Sequence, residues 1–182
     1  MKKLLILMLA TVLIAGCVGE PYSPYRREFA GVKLNFRADL DEAAKVKVYP
    51  NETALRNVIL NNNVQEIGVA YIPKDNENAF YLAASYELAY KLTIINRYYF
   101  NATKPITSIP VNSSMEALAM ATNQMPIIML VGESKTNSTL VNVVGYFVTV
   151  QGASFEEVNR TYNDLDLATD KLLLVMMKQV SI

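Results

Sequence analysis

The chain has 182 residues, and its 17 lysines and arginines equal its 17 aspartates and glutamates, so it lacks the basic excess typical of nucleic-acid-binding proteins. It contains no histidine and one cysteine. This composition excludes Ser-His-Asp and Cys-His catalytic sites, histidine-based zinc sites and any disulfide within one chain. The length fits one domain that can bury a hydrophobic core.

The N-terminal segment has the order of an export signal. Lys2 and Lys3 precede an apolar run, residues 4–14, which at about 1.5 Å per helical residue is too short to span a bilayer core of about 30 Å. Residues 13–17 then read Leu-Ile-Ala-Gly-Cys, which resembles the lipobox of lipoprotein precursors. This resemblance implies a signal peptide over residues 1–16 and a lipid on Cys17, which would hold the protein at the outer face of the cell membrane.

Residues 17–31 are predicted to form the lipid-anchored cysteine and a flexible tether, because the stretch is rich in proline, glycine and serine and has no periodicity that could be buried. Arg26 and Arg27 in this stretch either stay solvated, which is the simpler interpretation, or contact anionic lipid head groups. Residues 32–182 are expected to form a single α/β domain. This part faintly resembles uncharacterised archaeal exported domains, a resemblance that implies no functional residues.

Beyond the tether, patterns typical of strands alternate with patterns typical of helices. Predicted strands span residues 32–36, 46–48, 66–72, 106–111, 126–131, 140–144 and 146–151, and predicted helices span residues 53–60, 79–100, 115–121 and 155–177, the last one broken near Asn163. This alternation favours a single Rossmann-like sandwich, a mostly parallel sheet with helices on both faces. The last two strands meet near Gly145 and are expected to form a hairpin at the edge of the sheet.

The predicted helix over residues 79–100 contains no glycine or proline, and its apolar side chains lie on both sides of a narrow gap that holds Glu87 and Lys91. The two residues are four apart with the acid first, the favoured order for an ion pair on a helix. The pair is either a solvated seam between two packed sides or a desolvated pair. A desolvated pair would indicate a function, because buried ion pairs rarely stabilise a protein. Glu87 and Lys91 are therefore candidate ligand-binding residues.

Asn-x-Ser/Thr sequons occur more often than this composition predicts by chance. They begin at Asn51, Asn101, Asn112, Asn137 and Asn159. They indicate either a surface rich in asparagine and threonine or a glycosylated extracellular face. With the lipobox, the second interpretation favours an archaeal surface lipoprotein.

Acidic residues cluster at residues 39–42 and 163–170. Neither cluster has the Asp-x-Asp-x-Asp-Gly order of an EF-hand, and the preference for acids at a helix N-terminus explains the second cluster more simply. Residues 132–136 lack the Gly-Lys pair of a phosphate-binding loop. We therefore predict no metal, no cofactor and no nucleic-acid partner.

A ligand of a parallel sheet is expected beyond the carboxyl ends of its strands. The loops that leave these ends are residues 73–78, 112–114, 132–139 and 152–155. Helix N-termini at such an edge favour an anion, and Lys74 and Lys135 are its predicted contacts. Glycans on Asn112 and Asn137 would instead favour a polymer or another large partner.

No catalytic signature is present, so an enzyme is not favoured. A surface-anchored binding or envelope-interaction module fits best, with the membrane and an envelope protein or polymer as partners. A structural subunit of a membrane or cell-wall assembly is the first alternative, and it would expose an apolar patch. A hydrolase that uses carboxylates alone is the second, and it would place two carboxylates about 5–10 Å apart across a cleft.

Overall fold

The computed structural model describes residues 23–73, 79–101, 104–132, 138–153 and 162–178. Cys17 and the predicted signal peptide lie outside these residues. The described strands are β1 (Arg26–Phe29), β2 (Val32–Asn35), β3 (Lys47–Tyr49), β4 (Ile67–Tyr71), β5 (Ile106–Pro110), β6 (Ile127–Val131), β7 (Leu140–Val144) and β8 (Phe147–Gln151). The described helices are α1 (Leu40–Ala43), α2 (Glu52–Ile59), α3 (Ala79–Phe100), α4 (Ser114–Met120) and α5 (Asp164–Met177).

Six strands form one sheet in the order β3-β7-β8-β6-β4-β5. β8, β6, β4 and β5 are mutually parallel, β7 is antiparallel to β8, and β3 is parallel to β7. The predicted α/β class and mostly parallel sheet are therefore confirmed.

The predicted hairpin is present as β7 and β8, joined through Gly145 at a φ of 59°, a left-handed conformation that glycine adopts without strain. Its predicted position at the sheet edge is wrong. β3 pairs with the outer side of β7, so the hairpin lies inside the sheet. This pairing joins segments about ninety residues apart, a contact that local sequence patterns do not reveal.

The predicted tether is also too long, because β1 and β2 form a second, antiparallel sheet. Phe29 is only 4% exposed and Leu34 only 1%. Tyr25 accepts a hydrogen bond through its backbone carbonyl from the Phe36 N–H at 2.7 Å. The chain from Ser23 onward therefore belongs to the fold.

Side chains on the two faces of the sheet enter different clusters. Residues of one face, among them Ile128, Leu130 and Val148, join the larger cluster with residues of α2, α3, α5 and the β1–β2 hairpin. Residues of the other face, among them Ile127 and Met129, join a smaller cluster with residues of α4. Because successive strand residues point to opposite faces, the apolar run of β6 supplies both clusters.

Helix α5 is buried at every position after its first residue, Asp164. It packs against α3, α1 and strand β8. Asn163 caps it in a reciprocal capping box with Asp166, which confirms that acids of this stretch serve a helix N-terminus. The burial of α5 brings its polar residues into the core.

Candidate functional site

Five charged side chains from three parts of the chain meet beneath the β1–β2 hairpin. We call them the charge cluster: Arg37, Glu87, Lys91, Asp166 and Asp170. Arg37 follows β2, Glu87 and Lys91 lie on successive turns of α3, and Asp166 and Asp170 lie on successive turns of α5. In each helix the spacing of four residues places both side chains on one face.

Ion pairs and hydrogen bonds join the members of the charge cluster. Arg37 donates from Nε to Asp166 Oδ1 at 2.8 Å, and the same nitrogen lies 4.0 Å from Glu87 Oε2. Lys91 forms an ion pair with Glu87 Oε1. The Ala38 N–H donates to Asp170 Oδ2 at 2.8 Å. The cluster thus connects both helices to the chain that leaves the hairpin.

Four members of the charge cluster are largely excluded from water, whereas the Arg37 side chain is 37% exposed. The side chains of Lys91 and Glu87 are 3% and 8% exposed, and Asp166 and Asp170 are fully buried. The Lys91 ammonium lies 3.8 Å from the centre of the Phe36 ring, within the range of a cation–π contact. The sequence prediction of an ion pair is therefore confirmed, and the alternative of a solvated seam is wrong because the hairpin and α5 cover this part of α3.

Burial raises the pKa of Asp170 well above its usual range, and the nearby Glu87 carboxylate raises it further. Burial also raises the pKa of Glu87, although Lys91 opposes this shift. Among the described residues, Asp170 Oδ1 and Glu87 Oε2 have no hydrogen-bond partner. Three carboxyl groups share two cations here, and retention of a proton by one of them balances the formal charge.

A surface depression of about 400 Å³ opens beside the charge cluster and is lined by Lys33, Arg37, Glu87, Tyr90 and Lys91, among others. One oxygen of Glu87 and one of Asp166 lie 4.0 and 2.8 Å from the same Arg37 Nε. These two oxygens are therefore at most about 7 Å apart, a separation that suits the paired carboxylates of a hydrolase. Asp166, however, is fully buried and does not line the depression. The two carboxylates therefore do not flank a cleft that a substrate could enter.

The strands β4, β5, β6 and β8 run in one direction, so their carboxyl ends lie at one edge of the sheet. Asn112 lies there, exposed, with its amide bonded to Glu116 Oε2 at 3.1 Å. Lys74 and Lys135, the predicted anion contacts, lie outside the described residues. The anion site at this edge remains a prediction.

Of the five sequons, Asn51, Asn101 and Asn112 are described, and all three are exposed. Asn51 caps α2 by accepting the Ala54 N–H at 2.8 Å through its Oδ1, so its Nδ2, the atom that a glycan modifies, is not used by the cap. Asn137 and Asn159 lie outside the described residues.

The first acidic cluster serves local structure. Asp39 caps α1 by accepting the N–H groups of Asp41 and Glu42, and Glu42 accepts the hydroxyl of Tyr162 at 2.7 Å. Over the described ranges, no group of three or more acidic, histidine or cysteine side chains has an arrangement suited to a metal ion.

Sequence reasoning found Glu87 and Lys91 but missed Arg37, Asp166 and Asp170. Arg37 ends an ordinary strand pattern, and nothing local marks it as a partner of α5. Asp166 and Asp170 did carry a signal. They stand four apart between leucines that a helical period would bury, and aspartate is seldom buried without a partner.

No family model, no curated protein and no solved structure matches the chain. None of the described helices is long and apolar enough to cross a membrane.

Proposed function

We propose that the chain is an exported lipoprotein, held by a lipid on Cys17 at the outer face of the cell membrane, and that it acts there as a binding or envelope-interaction module. The observation that carries the anchoring is the lipobox-like sequence of residues 13–17 directly behind a short apolar run. The short distance in sequence between Cys17 and the folded domain is consistent with anchoring close to the membrane. Ser23 follows Cys17 by six positions, which at about 3.5 Å per residue keeps the domain within about 20 Å of the lipid.

An exposed stripe on α3 supports binding of a large partner. Leu82, Tyr86 and Tyr90, four residues apart in turn, are 37%, 77% and 62% exposed. Tyrosine is enriched at protein interfaces because it offers a large rigid surface and a polar hydroxyl. The same stripe also suits the alternative of a structural subunit in a membrane or cell-wall assembly.

Two finer features belong to the same proposal. We infer that the sandwich is Rossmann-like with helices on both faces, supported by α4 in the smaller core cluster and by α3 and α5 in the larger one. We also infer that the sequons carry glycans, supported by the exposure of Asn51, Asn101 and Asn112. Peptide mass spectrometry of protein from its own host tests the second inference, and five unmodified asparagines would refute it.

The anchoring is tested by fractionation of host cells that express the wild type or Cys17→Ser. We expect the wild type to stay with membranes through a high-salt wash and to be released by detergent. Cys17→Ser should be released from membranes or remain unprocessed. Processed Cys17→Ser protein that stays in detergent-soluble membranes like the wild type would contradict the proposal.

The binding role is tested by cross-linking and pull-down from the native membrane. Tyr86→Ser with Tyr90→Ser should lose captured envelope components that the wild type retains. Tyr146→Ser changes an exposed tyrosine at the β7–β8 turn and serves as the matched control. Capture that is equal for both variants would contradict a role for the α3 stripe.

A further inference from the structure

The β1–β2 hairpin is joined to α3 and α5 by side chains. Among the described residues, β1 and β2 pair only with each other. The Leu40 N–H donates to the Pro24 carbonyl at 2.8 Å. This hydrogen bond closes the base of the hairpin, so residues 25–39 can move as one unit.

The charge cluster docks the end of this unit. Arg37 and the Ala38 N–H donate to the two aspartates of α5, each at 2.8 Å. From α3, the Lys91 ammonium lies 3.8 Å from the centre of the Phe36 ring. Each of these contacts includes a member of the charge cluster, so a change in the charge of the cluster acts directly on the docking of the hairpin.

The hydrogen bonds indicate where a proton can lie within the cluster. Asp166 accepts through both carboxyl oxygens, from Arg37 Nε at 2.8 Å and from the Asn163 N–H at 3.1 Å. Among the described residues, Glu87 Oε2 and Asp170 Oδ1 are buried without a hydrogen-bond partner. A proton on either oxygen makes the cluster formally neutral, with two carboxylates for two cations. Burial raises the pKa of both groups in this direction.

The charges that act on Asp170 belong to the cluster itself. After burial, the pKa of Asp170 responds to Glu87, Lys91 and Asp166, and Arg37 also interacts with it electrostatically. Strands β7 and β8 pack on α5 as well, but neither carries a charged side chain.

The charged groups of α1 and α2, which also pack on α5, serve other contacts. Lys171 of α5 pairs with Glu52 of α2 at 2.9 Å. On α1, Asp39 is the N-cap, and Asp41 and Glu42 are exposed. The charge balance around Asp170 is therefore set by the cluster.

The cluster has a route for protons. Glu87 lines the depression of about 400 Å³ together with the exposed residues Lys33 and Tyr90. Glu87 is thus the carboxyl group through which the cluster meets the surface.

We propose that one proton held by Glu87 or Asp170 locks the β1–β2 hairpin onto α3 and α5, and that loss of this proton at rising pH increases opening of the hairpin. Without the proton, three buried carboxylates face two cations. Opening hydrates Asp170 and relieves the excess negative charge. This switch goes beyond the proposed function, since it depends neither on the lipid anchor nor on the binding role.

Linkage gives the direction and size of the effect. The closed form holds the proton more tightly than the open form, whose carboxyl pKa is about 4. The opening constant should therefore be steady below about pH 4 and rise by up to about tenfold per pH unit above it. The rise ends at the raised pKa values of the closed form.

Hydrogen exchange tests the switch, followed by NMR on the full chain in detergent from about pH 4 to about pH 8. The Ala38 N–H is the reporter, because it bonds Asp170 across the docking contact. Its protection factor, corrected for the intrinsic exchange rate, should fall by up to about tenfold per pH unit. It should also stay below the protection factor of the Ile128 N–H at the centre of β6, which reports opening of the sheet.

Two variants remove the excess carboxyl group independently. Asp170→Asn and Glu87→Gln each leave two carboxylates for two cations, so the protection of the Ala38 N–H should no longer depend on pH in either. If one variant does not fold, the other decides. Exposed Asp41→Asn is the matched control and should keep the wild-type dependence.

Three results would overturn the proposal. The first is a protection of the Ala38 N–H in the wild type that does not change with pH. The second is a wild-type pH dependence in Asp170→Asn or Glu87→Gln. The third is equal protection of the Ala38 and Ile128 N–H groups, which would mean that the hairpin opens only when the whole domain unfolds.

Discussion

Asp170 and Glu87 each hold a buried carboxyl oxygen without a hydrogen-bond partner. Both groups have a raised pKa in the folded state, caused first by burial. The folded chain therefore holds their protons more tightly than the unfolded chain. Their contribution to stability is fully present below the unfolded pKa of about 4 and is lost as pH rises through the raised folded values.

This linkage predicts the effect of Asp170→Asn. Asparagine can still accept the Ala38 N–H, but it does not lose a proton. The free energy of unfolding of the variant, relative to the wild type, should rise from pH 4 toward neutral pH with a slope of up to about 1.4 kcal/mol per pH unit. Urea unfolding across this range measures it, with exposed Asp41→Asn as the control. If the free energies of unfolding of the wild type and Asp170→Asn changed in parallel with pH, the raised pKa of Asp170 would be contradicted.

Lys91 is the buried cation of the same cluster. Removing one partner of a buried ion pair leaves an uncompensated charge, so Lys91→Met should lower the free energy of unfolding by about 3–5 kcal/mol. Glu87→Gln in the Lys91→Met background should recover part of this loss, because it removes the unpaired carboxylate. Exposed Lys45→Met is the control and should change stability by less than about 0.5 kcal/mol. If the double variant recovered no stability, the loss in Lys91→Met would come from packing rather than from the unpaired charge.

At the scale of elements, local patterns predicted most of the fold. The bounds of α3 agree with the sequence because residues 79–100 contain neither glycine nor proline, and β6 was recognised from its apolar run. The β1–β2 hairpin was missed because Pro24 and Gly31 read as a linker, although Gly31 marks its turn. The position of β7 and β8 inside the sheet, and the burial of Glu87, depend on segments far apart in sequence, so local periodicity could not predict them.

The β1–β2 turn holds an alanine in a strained backbone conformation. Ala30 has a φ of 51° and Gly31 a φ of 76°, so an alanine occupies a left-handed position that costs a non-glycine residue about 1–2 kcal/mol. Ala30→Gly should therefore raise the free energy of unfolding by up to about 1 kcal/mol after the entropy of the added glycine is counted. Thermal or urea unfolding measures the change.

The control substitution should change the free energy of unfolding in the opposite direction. Ala119 is an exposed residue within α4, and Ala119→Gly should lower stability by about 0.5–1 kcal/mol. A loss of stability in both variants would show that the turn does not hold Ala30 in the left-handed region.

Arg56 joins two elements. From α2 it donates through Nη1 to the carbonyls of Val175 and Met176 at 2.7 and 3.0 Å, at the C-terminal end of α5. Both carbonyls lie in the last turn of α5, where Val175 also accepts the N–H of the capping Lys178 at 3.4 Å, and the Arg56 cation meets the negative end of the helix dipole. Arg56→Met should lower the free energy of unfolding by about 1.5–3 kcal/mol, while exposed Arg97→Met should have little effect. Equal effects of the two variants in urea unfolding would contradict the capping role.

For the whole molecule, the proposed lipid anchor and the exposed stripe on α3 would act together. A lipid on Cys17 would confine the chain to one surface, which raises its effective concentration toward a partner in the same envelope. Leu82, Tyr86 and Tyr90 form an exposed stripe on α3. The anchored domain would then present this stripe to an envelope partner.

The central claim is that the mature protein begins at a lipid-modified Cys17. Mass spectrometry of the N-terminal peptide, from protein purified out of its own host membrane, tests it most directly. We expect a peptide that starts at Cys17 and is heavier than its sequence by a lipid group. A peptide that starts elsewhere, or an unmodified Cys17, would contradict it.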